Sequence, residues 1–144
     1  MDEYRGAGYQ LGITALYVLL CPGLLLGQEY EAVLALIEQG LTTASRNSER
    51  IFEAELYRLK ARTLALCDAK DAGTELLQKA LMTARSQRAK ALELRAATDL
   101  AALWMDQGKR KDALEVLTPV YGWFTEGFET QDLKQAKVLL NRLV

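Results

Sequence analysis

Three arginines, Arg58, Arg62 and Arg95, are the side chains of this sequence best suited to bind a ligand. A guanidinium group is a planar fork of N–H donors that matches the shape of a carboxylate or a phosphate. If the three act together, we expect them to bind an acidic peptide, a chain-terminal carboxylate or an anionic small molecule. The alternative, which we favour, is that they form ion pairs with Glu55 and Asp99 on a solvated face.

The residue types that catalysis or metal binding would need are missing or poorly placed. The chain has no histidine, the commonest general base and a common zinc ligand. Glu53 and Glu55 are two residues apart on a predicted helix, so they point in different directions. Gly6 and Gly8 lack the following lysine and helix start of a phosphate-binding loop. We therefore predict no catalytic residue, no metal site and no cofactor, and expect that the protein is not an enzyme.

Composition predicts one all-α domain over residues 1–144. Half of the residues are hydrophobic, 26% are charged and the net charge is −1. This balance favours neither nucleic acid nor a membrane surface as a partner. Ala, Leu, Glu, Lys, Arg and Gln dominate and favour helices, whereas the β-branched residues that favour strands are sparse.

Two further features favour a cytoplasmic location. Cys21 and Cys67 are too few for a disulfide framework, so we expect both to be buried free thiols in a reducing compartment. The most apolar stretch, residues 11–26, is 16 residues long and contains Pro22 and Gly23. A membrane-spanning helix needs about 20 apolar residues. No signal-peptide cleavage site follows the stretch, and we interpret it as a buried helix.

The chain repeats with a period of 40 residues, in segments that begin at Thr14, Ala54 and Leu94. The matching sets are Tyr17, Tyr57 and Ala97; Leu20, Lys60 and Leu100; Cys21, Ala61 and Ala101; Leu24, Leu64 and Trp104; Val33, Gly73 and Ala113; Ile37, Leu77 and Leu117; Gly40, Ala80 and Val120; and Leu41, Leu81 and Tyr121. Their spacing traces one face of each of two helices. Each unit is therefore predicted to be a helix, a tight turn and an antiparallel helix, with small residues where the two helices come closest. Gly27 and Gly108 are the predicted left-handed helix stops.

The third unit resembles the tetratricopeptide repeat in its pattern of small and large residues: Ala97, Leu100, Ala101, Trp104, Gly108, Ala113, Leu117 and Val120. The family's unit has about 34 residues, so the longer unit here implies longer helices or turns. Lys60, where the family usually has leucine, and Pro22, inside a predicted helix, depart from the pattern. The resemblance implies an α-solenoid of about three antiparallel hairpins, with repeats over about 14–53, 54–93 and 94–129.

The C-terminal half also resembles the tail of large bacterial predicted ATPases, which are often fused to adenylate cyclase or transcription-regulator modules. The similarity is carried by residues 94–98, 103–104, 106–108 and 119–128, and extends to 53–60 and 132–143. In such proteins this region is the helical sensor or scaffold. The ATPase and cyclase domains are absent from this sequence, so their activities do not carry over.

In repeats of this family the first helix of each hairpin lines a concave surface. By this analogy the groove residues of the second and third units include Glu55, Arg58, Arg62, Arg95, Thr98 and Met105. The corresponding residues of the first unit are all apolar: Ala15, Val18, Pro22, Leu25 and Leu26. An apolar patch of this kind predicts an interface, unless residues 1–12 fold over it.

At the other end, residues 131–143 are predicted to form a helix that caps the third unit. Thr130 is its expected N-cap residue, and Trp123, Phe124 and Phe128 are expected to pack beneath it. Together these features predict a protein-interaction or assembly scaffold that binds another protein or peptide in its groove. The alternatives are a homodimer that pairs through the apolar N-terminal hairpin, and a sensor that binds an anionic small molecule in the groove.

Overall fold

The structure, a computed structural model, describes Val18, Cys21, residues 23–47 and residues 50–144. Every regular element in this part of the chain is helical, which confirms the predicted all-α class. The α-helices are α1 (Tyr30–Asn47), α2 (Glu53–Leu66), α3 (Lys70–Ser86), α4 (Lys90–Asp106), α5 (Arg110–Trp123) and α6 (Gln131–Leu143). A short 3-10 helix, Arg50–Phe52, precedes α2, and residues 23–26 are helical as well.

Each of these helices packs against the next one along the chain. In addition, α2 packs against α4, and α4 packs against α6, so these three helices lie side by side. The helices α2 and α4 begin slightly before the predicted unit starts at Ala54 and Leu94, and α6 occupies the range assigned to the last helix. The side-by-side arrangement brings together side chains that are far apart in the sequence.

Four three-residue turns have the same backbone geometry. The central residue of each has a positive φ: 59° at Gln28, 60° at Asp68, 55° at Arg88 and 76° at Gly108. In each turn the next N–H returns to a carbonyl five residues earlier, as in Ala69 to Leu64 at 2.9 Å. This is the Schellman helix stop. The prediction for Gly108 is confirmed, but the prediction for Gly27 is wrong because the left-handed residue is its neighbour.

The second helix of each predicted unit has the same pattern of burial. Residues 31–40 of α1, 71–80 of α3 and 111–120 of α5 are buried, half-buried and exposed at the same ten positions. The fully buried positions are Val33, Ile37 and Gly40, then Gly73, Leu77 and Ala80, then Ala113, Leu117 and Val120. The 40-residue period of the sequence is therefore also a period in the environment of these side chains.

The buried apolar residues of the described part form two clusters. The larger one extends from Ala61 to Leu143 and includes Leu94, Leu100 and Leu117. The smaller one consists of Cys21, Val33, Ile37, Leu56 and Leu59. Helix α2 contributes to both clusters, because its opposite faces pack against α1 on one side and against α3 and α4 on the other.

Close approach of paired helices is clearest at Gly73. A Cβ atom added there would lie 3.2 Å from the carbonyl oxygen of Ala61, tighter than most contacts of its kind. The equivalent residues are Val33 in the first predicted unit and Ala113 in the third, and both have side chains larger than that of glycine. Lys60, which departs from the repeat pattern, forms an ion pair with Glu38 of α1.

The expectations about four residues are corrected. Cys67 is exposed, because it lies at the end of α2 beyond the buried face. Thr130 stands at the N-cap position of α6, but its hydroxyl donates to the Gly127 carbonyl at 2.7 Å and does not cap the helix. Trp123 and Phe128 are not packed beneath α6, since their exposed fractions are 57% and 44%.

Candidate functional site

A network of charged side chains connects α2, α4 and α6. Arg58 donates from Nε and Nη2 to both oxygens of Glu55, at 2.9 and 2.5 Å, and from Nη1 to Asp99 at 2.7 Å. Arg95 donates from Nε to Asp132 at 2.7 Å and is 3.4 Å from Glu55 through Nη1. Two arginines and three carboxylates from three helices therefore form one connected set.

The centre of this network is buried. The side chains of Glu55 and Arg58 are 4% and 11% exposed. Burial by itself would lower the pKa of the Arg58 guanidinium, but the hydrogen bonds to Glu55 and the nearby charges of Asp99 and Glu55 outweigh it and raise that pKa. Arg58 therefore remains charged, and its main role is to hold α2 and α4 together.

An open pocket of about 310 Å³ lies directly over the network. Its lining residues are Arg58, Arg62, Arg95, Thr98, Asp99, Asp132 and Gln135. Arg62 differs from the other two arginines because it is exposed and has no ion-pair partner among the described residues. It is therefore the cationic group of this pocket that is most available to an incoming anion.

A second recess adjoins this pocket and is mainly apolar. It is lined by Leu25, Leu26, Arg58, Leu59, Arg62 and Leu66. Leu26 is 88% exposed and Leu66 is 57% exposed, so both leave apolar surface in contact with water. Because Arg58 and Arg62 line both depressions, an apolar region and a charged region lie next to each other on the same surface.

The structure brings together most of the residues predicted to line a groove. Arg58, Arg62, Arg95 and Thr98 line the charged pocket. Glu55 is a correction: it is only 3% exposed and accepts hydrogen bonds from two arginines, so it supports the pocket from below. Met105 is half-buried against the larger core cluster and does not line the pocket.

The structure describes three of the five residues that were predicted to form an apolar interface. Ala15 and Pro22 lie outside the described residues, as do residues 1–12. Val18 and Leu25 are half-buried against the smaller core cluster, and Leu25 also lines the apolar recess. Leu26 is the member of this set with a largely exposed side chain.

Sequence reasoning missed two pocket residues on α6, Asp132 and Gln135. A signal for them exists in the repeat, because Gln135 follows Arg95 by the same 40 residues that separate the other equivalent positions. Extending the register into the last helix would have placed this helix beside α4. Both residues lie within the predicted last helix, residues 131–143, but neither was expected to line the groove.

Neither a metal centre nor a membrane span is found in the part of the chain that the structure describes. No three Cys, Asp or Glu side chains are grouped there in a way that could hold a metal ion. No described helix combines the length and apolar character needed to cross a bilayer.

The chain matches no protein-family model, and no curated protein or solved structure is significantly similar to it. What the chain itself defines is an all-α protein with a charged pocket beside an apolar recess.

Proposed function

We propose that the chain is a protein-interaction module built as a tetratricopeptide-like α-solenoid. In this arrangement three helical hairpins stack in register and α6 caps the last of them. Two observations support it: the second helices share one burial pattern at a 40-residue spacing, and helix stops recur at Gln28, Asp68 and Gly108 with that same spacing. Packing of α2 against α4 and of α4 against α6 also agrees with stacked first helices.

The partner is an extended peptide segment that carries a large apolar side chain next to an acidic group. The observation that carries this proposal is the shared lining of the two depressions by Arg58 and Arg62. An apolar side chain would bury the exposed surface of Leu26 and Leu66, while the neighbouring carboxylate would approach Arg62. A bound peptide would thus meet complementary chemistry at both positions.

The two contacts would contribute unequally to affinity. An ion pair to an exposed arginine is worth about 0.2–1 kcal/mol, because water and salt screen it. Burial of a large apolar side chain contributes about 1.5–3 kcal/mol. The recess would therefore supply most of the binding free energy, and Arg62 would set the position and direction of the peptide. Arg58 would contribute little directly, because its donors are already used by Glu55 and Asp99.

In its biological setting, such a module would serve as the sensor or scaffold region of a larger bacterial signalling ATPase, or as a stand-alone derivative of one. This part of the proposal depends on the resemblance of the C-terminal half to those proteins. It agrees with a surface that offers binding groups and no arrangement of acid, base and nucleophile among the described residues.

The test is selection of random short peptides on the immobilised protein, followed by fluorescence anisotropy with the enriched sequences. We expect enriched peptides to pair a large apolar residue with Asp or Glu. Leu66→Glu should abolish binding, and Arg62→Gln should weaken it about twofold to fivefold. Met82→Glu is the matched control, since Met82 is 70% exposed on α3 and lies outside both depressions. Peptides that bind all variants equally, or no enrichment at all, would refute the proposal.

Self-association through the N-terminal hairpin is a second candidate, and the 88% exposure of Leu26 is the observation that favours it. The recess beside Leu26 would then receive a second copy of the chain. Light scattering after size exclusion distinguishes the two. A dimer that becomes a folded monomer in Leu26→Glu would support self-association, whereas a wild-type monomer would exclude it at that concentration.

A further inference from the structure

Another cavity lies at the N-terminal end of α4, next to the charged pocket and beneath the segment that joins α5 to α6. It has a volume of about 610 Å³, within the range of small-molecule sites. Leu94 and Leu133, which are 1% and 3% exposed, belong to the core at its base. Trp123 and Phe124 provide aromatic surface, and Asp132 is the residue it shares with the charged pocket.

The connecting segment shapes this cavity through its backbone. Gly127 has φ of +77°, a left-handed conformation that glycine adopts without strain. Its hydrogen-bonded turn, from Thr130 N–H to the Gly127 carbonyl at 2.9 Å, brings the chain back toward α6. Residues 124–127 therefore curve past the core instead of continuing the helix, and they leave the space between α4 and α6 open.

The aromatic wall is exposed to an extent that is unusual for its residue types. Trp123 is 57% exposed and packs edge-on against Phe124, with ring centroids 5.2 Å apart. The Nζ of Lys90 lies 5.5 Å from the centroid of the Trp123 ring, so this ring already interacts with a cation. Exposed tryptophans beside a cavity are typical anchors of binding sites, and the indole ring is the strongest aromatic partner for cations.

One carboxylate of the cavity lining has no ion-pair partner among the described residues. Asp132 accepts a hydrogen bond from Arg95 at 2.7 Å, and the nearby Glu93 accepts hydrogen bonds from both Lys90 at 2.9 Å and Arg85 at 3.0 Å. Glu126 lines the cavity and forms no ion pair with any described residue. A ligand in this cavity would therefore meet an apolar base, an aromatic wall and a single free negative charge at the rim.

From this combination we propose that the cavity binds a small amphiphilic cation, an apolar body that carries one ammonium group. The apolar part lies between Ala91 of α4 and Phe124, whose exposed apolar surface it covers in place of water. The ammonium group lies between Glu126 and the Trp123–Phe124 pair, where a charge interaction and a cation–π interaction act together. This site differs from the peptide groove in location and in ligand charge, since the groove attracts anions.

The test uses two probes with the same tail and opposite head groups, decyltrimethylammonium and decyl sulfate, each well below its micelle concentration. Isothermal titration calorimetry is done on Leu66→Gln, which removes the apolar contact of the peptide groove beside Arg62, and should show binding of the cation and at least about tenfold weaker binding of the anion. Trp123→Ala should weaken binding of the cation about tenfold, and Glu126→Gln about threefold to fivefold. The tryptophan emission of the wild type should also change on titration, and this change should be lost in Trp123→Ala.

Matched controls test whether the effects are local. Met82→Ala removes an apolar side chain that is 70% exposed on α3, and Glu115→Gln neutralises an exposed carboxylate on α5. Both should bind the cation like the wild type. Ala91→Phe fills the cavity from α4 while keeping Trp123, and should block binding even if Trp123→Ala does not fold. Equal affinity for both probes, or binding that these cavity substitutions leave unchanged, would overturn the proposal.

Discussion

The guanidinium of Arg58 donates to both carboxylate oxygens of Glu55, three residues earlier on the same helix, at 2.9 and 2.5 Å. This bidentate pair is nearly buried and also reaches Asp99 on α4. The pair lies beneath the charged pocket, so the donors of Arg58 are used within the protein. Arg62, in contrast, is exposed and available for a ligand. The first prediction tests this difference.

We expect Glu55→Gln to lower the free energy of unfolding by about 2–3 kcal/mol, because it leaves a buried arginine with an incomplete set of charged partners. Arg62→Gln, at an exposed site, should change it by less than about 0.5 kcal/mol. Urea denaturation followed by circular dichroism measures both. Similar losses in the two variants would mean that Arg62 also has a structural role.

A second prediction concerns acid stability and Glu93, which is buried and accepts hydrogen bonds from Lys90 at 2.9 Å and Arg85 at 3.0 Å. Burial raises the pKa of the Glu93 carboxyl, but the hydrogen bonds from Lys90 and Arg85 outweigh it and leave this pKa below its usual value. Because this pKa is lowered in the folded state, the ionised Glu93 carboxylate stabilises the folded protein at pH values above the ordinary pKa of glutamate. This stabilisation is lost as the pH falls through the lowered value.

The free energy of unfolding should therefore decrease less in Glu93→Gln than in the wild type between about pH 5 and about pH 3. Chemical denaturation at a series of pH values measures this difference. Glu115→Gln, which removes an exposed carboxylate, should keep the acid dependence of the wild type. Parallel curves for the wild type and Glu93→Gln would contradict the role given to Glu93.

The helix stops provide a third prediction. Asp68 and Arg88 occupy left-handed positions that glycine adopts at lower cost, so Asp68→Gly and Arg88→Gly should each stabilise the protein by about 0.5–1 kcal/mol. Gly108→Ala should destabilise it by about 1 kcal/mol for the same reason. Ala69→Gly is the control, because Ala69 has φ of −94° and gains nothing from glycine. Thermal unfolding monitors all four, and stabilisation by Ala69→Gly would point to a different cause.

The two cysteines should differ strongly in reactivity. Cys67 is exposed, whereas Cys21 is fully buried and burial raises the pKa of its thiol. A thiol reagent at neutral pH should therefore modify Cys67 rapidly and Cys21 only after denaturant is added. Cys67→Ser should remove the fast reaction, and Cys21→Ser should leave it intact. Fast modification of both thiols would show that the smaller core cluster, which contains Cys21, opens readily to solvent.

Periodicity predicted the helical class and the burial of the second helices, because both depend on which residues recur at a helical spacing. It placed the first helix stop at Gly27, one residue before Gln28, since composition does not reveal where the last backbone hydrogen bonds close. The burial of Cys67 was predicted from its apolar neighbours, yet the helix ends just before it and its side chain leaves the core face.

The candidate site was also predictable in part. The resemblance to the tetratricopeptide repeat placed Arg58, Arg62 and Arg95 on one surface, since the first helices of such repeats lie side by side. The sequence does not show which carboxylates each arginine contacts, because that depends on distances of a few ångströms between helices. Glu55 was therefore predicted to face a ligand, although it lies beneath the pocket with 3% of its surface exposed.

The division of the apolar core into two clusters has a consequence for how the molecule opens. Among the described residues, helix α1 contributes to the smaller cluster and packs against α2, whereas α4 is packed between four other helices. Amide hydrogens of α1 should then exchange through local opening, and those of α4 only through global unfolding. The apolar recess at Leu26 lies on the less protected side and the charged pocket on the better protected one. A partner that occupies both would therefore slow the local opening of α1 as it binds, and exchange of the α1 amides would report occupancy of the groove.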